Sequence, residues 1–77
     1  MWSSGTIICP ETGETYKYHV KHYEIGSCYG IENNGKISKL EIRKGGKCLY
    51  NYDRSLDFNN LDESGKAVYA IILQKYN

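Results

Sequence analysis

The stretch ETYKYHVKHYE, residues 14–24, decides the fold. Tyr16, Tyr18 and Val20 fall on one parity, and Lys17, His19 and Lys21 fall on the other. Because successive side chains of a strand point to opposite faces, this alternation is that of a half-buried strand with one apolar and one wet face.

The flanking segments supply partners for such a strand. Upstream, GTIIC followed by PETGE reads as an apolar strand ending in a turn, since Pro10 fixes and Gly13 frees the backbone there, and a hairpin into residues 14–24 follows. Downstream, IGSCYGIENNGK reads as a loop or short irregular strand closing on a turn at Asn34-Gly35. ISKLEIRK then alternates again, with Leu40 and Ile42 inward and Lys39, Glu41 and Arg43 outward. A three-residue loop at Lys44-Gly45-Gly46, with Gly46 left-handed, sets Leu40 opposite Tyr50 and Ile42 opposite Cys48; a two-residue loop sets Leu49 opposite Ile42. The first register is preferred here.

The last third changes period. Asn60 as N-cap puts Glu63 at N3, a capping-box arrangement. Leu61, Gly65, Val68, Ile72 and Tyr76 then line one helical stripe flanked by Tyr69 and Ile71. Asp62, Glu63, Lys66 and Gln74 lie opposite, and Leu73 on that side is expected as an exposed apolar contact. The expected fold is one α+β domain over residues 1–77, an antiparallel sheet of three to four strands packed on one C-terminal helix. Its other sheet face stays open and carries Lys17, His19, Lys21, Tyr23, Lys39, Glu41 and Arg43.

Composition narrows the function classes. A chain of 77 residues buries one thin core. A formal charge of +1 gives no bulk attraction to nucleic acid or to a membrane surface, and no apolar run is long enough to span a bilayer. Cys9, Cys28 and Cys48 are odd in number and share no close spacing, which fits reduced thiols and a cytoplasmic setting. Eight tyrosines are the unusual count, and tyrosine suits half-buried sheet faces and contact surfaces.

Chemistry-bearing residues are sparse. His19 and His22 are three apart on a strand, so they face opposite ways, and no Cys-x-x-Cys pair exists; neither metal nor cofactor is expected. Cys28 with His22 is the one economical nucleophile and base, and a chain this short offers no deep pocket to tune them, so no enzyme is expected. In NYDRSLD, residues 51–57, Asp53, Arg54 and Asp57 read as a structural bridge at the strand-to-helix corner. Arg54 and Tyr52 are the alternative anion or ligand contacts there.

GIENNGKISKLEIR, YNYDR with Asp57 three residues on, the closing KYN, and the early Trp2 and Gly5 resemble a family of small uncharacterised domains encoded by bacteria and their phages. The resemblance spans nearly the whole chain and departs at Glu41, where the pattern has tryptophan, and at Ser55-Leu56, where it has Gly-Trp. The family transfers no activity. Its genomic context implies a binding role, that of a protein blocking a host defence factor in an anti-CRISPR-like manner. The expected contact surface is the open sheet face plus the basic hairpin tip at residues 43–47, with Tyr23, Lys39, Glu41, Arg43 and Lys47 as its contacts. Two other classes follow: a homo-oligomeric sponge that holds a nucleotide with tyrosines and Arg54, and, less favoured by the near-zero charge, a single-strand nucleic-acid binder.

Overall fold

A computed structural model describes residues 1–26, 28, 30, 31 and 35–77. Five strands, β1 (Trp2–Ile8), β2 (Thr15–His22), β3 (Ile37–Lys44), β4 (Lys47–Asp53) and β5 (Leu56–Asn59), precede one helix, α1 (Glu63–Tyr76). They form an antiparallel meander in sequence order, so each strand lies beside its chain neighbour.

The parity of residues 14–24 sets the layers. Tyr16, Tyr18 and Val20 are buried on the helix side, level with Leu40 and Ile42 of β3. On α1 the buried residues are Gly65, Val68 and Ile72, the middle of the expected stripe. Leu61 and Tyr76 pack against the same core while partly exposed. Leu73 also packs on the core, and Ile71 is the exposed apolar residue of the helix at 47%. The expectation of an exposed Leu73 is therefore corrected. Leu73 borders the contact stripe on the side that the sheet covers, whereas Ile71 overhangs the β1 side, near Cys9 and Pro10.

Three further expectations change. The sheet has five strands rather than three to four, because Leu56–Asn59 folds back on β4 before the helix begins. The helix cap is Asp62, not Asn60: Asp62 Oδ1 accepts from the Gly65 amide at 2.7 Å, while the Asn60 amide is taken by Leu49 O at 2.7 Å and extends the β4–β5 ladder. Glu63 is accordingly the first helical residue. The β3–β4 turn is the two-residue Gly45-Gly46, with φ 55° and 83°, and it is flanked by the pair Lys44 and Lys47. Positive φ at both central positions is what the right-handed twist of a hairpin demands, and two glycines adopt it without a Cβ penalty.

Neither register expected for that hairpin holds. Arg43 faces Cys48 and Ile42 faces Tyr50, so Leu49 is an extra residue in a bulge. The bulge lets consecutive residues Leu49 and Tyr50 both be buried. Another irregularity, at Lys21 and His22, does the same for Ile37 and Ser38. The expected turn at Asn34-Gly35 lies partly outside the described residues.

Candidate binding face

The helix side of the sheet accounts for most of the tyrosines. Tyr16 and Tyr18, two residues apart on β2, reach the two ends of α1. At the N-terminal end the Tyr16 hydroxyl lies 2.7 Å from Asp62 Oδ1 and 2.9 Å from Glu14 Oε2, donating to one carboxylate at a time. Lys44 Nζ lies 2.9 Å from both carboxylates and 5.7 Å from the centre of the Tyr16 ring. The Tyr16 and Lys44 bonds hold Asp62 down at about 2, and the Lys44 and Tyr16 bonds lower Glu14. Burial, together with the two carboxylates, pushes Tyr16 up, and the same carboxylates raise Lys44.

At the other end the Tyr18 and Tyr76 hydroxyls are 2.9 Å apart with their rings edge to face. That bond and burial push Tyr18 up to about 12. His22 stacks on Tyr76 at 4.8 Å, and its Nε2 bonds Ser3 Oγ at 2.9 Å. A third ring pair, Tyr50 and Tyr69 at 5.0 Å, joins β4 to the helix. These hydroxyls and rings belong to the packing between helix and sheet, and Tyr52 packs at the edge of that core.

Among the described residues no layer covers the opposite face of the sheet. Antiparallel pairing sets its residues in rows, of which one runs Ser4, His19, Glu41, Asn51 and Phe58, and the next runs Trp2, Lys21, Lys39 and Asp53. Lys39 pairs with Asp53 across the strands at 3.6 Å, and Arg43 pairs with Glu41 at 3.2 Å. The Trp2 indole is 55% exposed, stacks near His19 at 5.7 Å and has Lys21 Nζ 5.8 Å from its centre. Two shallow hollows of about 380 and 270 Å³ adjoin on this face, and both are lined by His19 and Glu41.

Of the expected contact residues, Lys39, Glu41 and Arg43 stand together on this face. Tyr23 follows β2 and is 46% exposed, with Lys21 Nζ 5.8 Å from its ring. Lys47 does not join them. Its cross-strand partner is Lys44, which bonds on the helix side, so Lys47 shares that side of the hairpin. At the hairpin tip Lys44 is tied to Glu14 and Asp62, and the Arg43 guanidinium donates to Gly46 O at 2.9 Å.

The corner Asp53, Arg54, Asp57 is a tight turn between two strands and not the strand-to-helix connection expected. Arg54 takes a left-handed φ of 63°, with its amide bonded to Ser38 O at 2.9 Å. Asp53 pairs with Lys39, and Asp57 accepts from Asn51 Nδ2 at 3.0 Å on β4. Trp2, Asn51 and Phe58 were missed as residues of the open face. The parity of Trp2, three residues before GTIIC, could have found it once the strand was extended back to residue 2, but Phe58 belongs to a strand with no alternation of burial.

Cys9 is buried, Cys48 half-buried and Cys28 exposed, all as free thiols. Hydrogen bonds from Thr12 and Ser64 lower Cys9, whereas burial raises Cys48. Among the described residues no three His, Cys, Asp or Glu side chains group as a metal site, and no helix is long and apolar enough to cross a membrane.

Fold and site together define a small α+β domain with one helix-covered and one uncovered sheet face. The chain belongs to the family described as a domain of unknown function (DUF7678), whose model matches residues 1–77. No curated protein and no solved structure matches it.

Proposed function

We propose that this chain is a non-enzymatic binding protein that contacts a protein partner through the uncovered face of its sheet. The observation that carries the reading is the chemistry of the shallow hollows around His19 and Glu41. An indole, an imidazole and an arginine stand exposed there among ion pairs of both signs. Protein interfaces favour aromatic and arginine anchors within a polar, charge-balanced rim. A nucleic-acid groove instead needs a large surplus of cations to neutralise phosphates; here Lys39 and Arg43 face carboxylates, leaving Lys17 and Lys21 among the described residues of the face, and the chain as a whole carries a formal charge of +1.

The resemblance to small domains of bacteria and their phages extends the proposal to the partner's class. It is a bacterial defence protein, which the chain inhibits in the cytoplasm by occupying its surface, in an anti-CRISPR-like manner. A nucleotide sponge has less support, because Tyr16, Tyr18 and Tyr50 are already buried under the helix.

Three measurements on the purified chain separate the readings. A protein blocker captures a host protein, keeps its melting temperature with linear or cyclic nucleotides, and shifts no nucleic-acid probe at low salt. A nucleotide that raises the melting temperature supports the sponge by ligand linkage. A probe shift that vanishes with salt supports the nucleic-acid reading.

A further inference from the structure

The two edges of the sheet are built differently. β5 is four residues long, carries Asp57 and is bulged against β4. Short length, charge and bulges are the usual guards of an edge strand. β1 has none of them: Trp2–Ile8 is seven residues without charge or proline, and its register with β2 is unbroken.

The ladder says which groups of β1 have no backbone partner among the described residues. Met1 exchanges both backbone bonds with His22, and Cys9 N donates to Glu14 O. Odd residues therefore bond β2, and the amides and carbonyls of Trp2, Ser4, Thr6 and Ile8 point away from the sheet. The side chains of those same residues lie on the uncovered face, where Trp2 is 55% and Ile8 63% exposed.

We infer that β1 pairs antiparallel with β1 of a second copy of this chain, around a two-fold axis at Gly5. The full-length register sets Trp2 against Ile8 of the second copy and Ser4 against its Thr6, and these are the residues whose backbone groups point away from β2. It also lays each exposed indole on an exposed β-branched side chain, a favourable cross-strand pair. Gly5 meets its own copy at the close, non-hydrogen-bonded position on the axis. No charge opposes a like charge along the seam. The dimer joins two five-stranded sheets into one and sets the two uncovered faces side by side.

Sedimentation equilibrium tests this directly. The wild-type chain is expected at twice its 8.8 kDa mass at concentrations of tens of micromolar, by the order of affinity small interfaces reach. Ser4→Pro removes one outward amide without touching a bond to β2, and Thr6→Lys places a charge on the seam. Both are expected to sediment as monomers, Thr6→Lys with an unchanged far-ultraviolet spectrum. If Ser4→Pro fails to fold, Thr6→Lys decides alone. A wild-type chain that stays monomeric overturns the inference, as does a dimer that survives Thr6→Lys.

Discussion

Asp62 Oδ1 receives both the Gly65 amide at the start of α1 and, at 2.7 Å, the hydroxyl of Tyr16 from the middle of the sheet. One carboxylate thus caps the helix and fixes where it lands. Its pKa near 2 lies below the ordinary value of about 4, so the charged form is favoured in the folded state. The stabilisation is fully present above about pH 4 and is lost as pH falls toward 2. Asp62→Asn keeps a cap acceptor and removes the charge. Urea denaturation across this range should give a shallower loss of stability with acid for the variant, with Glu14 supplying the remaining slope. Asp62→Ala should cost about 1 kcal/mol or more at neutral pH through the lost cap.

Gly5 sits under the Tyr18 ring. A Cβ there would come within 2.7 Å of the Tyr18 hydroxyl oxygen and 2.9 Å of Cζ, so Gly5→Ala forces the ring off the Tyr76 hydroxyl. Overpacking of this kind costs roughly 1–3 kcal/mol. Thermal unfolding should fall by roughly 4–8 °C for each kcal/mol in a domain of this size.

Ile72 and Ile71 are neighbours with opposite fates: the first is 1% exposed over the sheet, the second 47%. Ile72→Ala should cost about 2–5 kcal/mol, enough to unfold much of a small domain at 37 °C. Ile71→Ala should change stability by less than about 0.5 kcal/mol. Denaturant midpoints measured side by side check the pair.

Asn77 clasps the approach to β3. Its Nδ2 donates to Ile31 O at 3.3 Å, and its Oδ1 accepts from the Ile37 amide at 3.1 Å. A side chain on Gly35 would collide with it. Asn77→Ala is expected to speed hydrogen exchange at the Ile37 amide by about tenfold, the factor for one hydrogen bond of about 1.4 kcal/mol, and to leave the Leu40 and Ile42 amides unchanged.

Much of this was legible because burial follows parity. Tyr16, Tyr18 and Val20, Leu40 and Ile42, and Gly65, Val68 and Ile72 were assigned inward from period alone, and the structure buries all of them. What escaped lay where local pattern carries no such information. β5 has four exposed residues and no alternation, and its turn uses a left-handed arginine held by Ser38, a tertiary contact. Asn60 and Asp62 are both good caps, and only the Tyr16 and Lys44 contacts select the second. The bulge at Leu49 shifted a register that the Gly-Gly turn alone could not give. On the uncovered face, Lys39, Glu41 and Arg43 were placed outward by the same parity rule, whereas Lys47 of the hairpin tip pairs with Lys44 on the helix side, a position the turn and bulge decide.

The central claim is that the uncovered sheet face makes the functional contact. Affinity capture from host lysate with the wild type, with His19→Ala/Arg43→Ala on that face, and with Lys66→Ala/Gln74→Ala on the outer side of α1 tests it most directly, provided all three melt alike. The account predicts that one host protein is retained by the wild type and the helix variant and lost from the face variant. Retention by the face variant together with loss from the helix variant would contradict it.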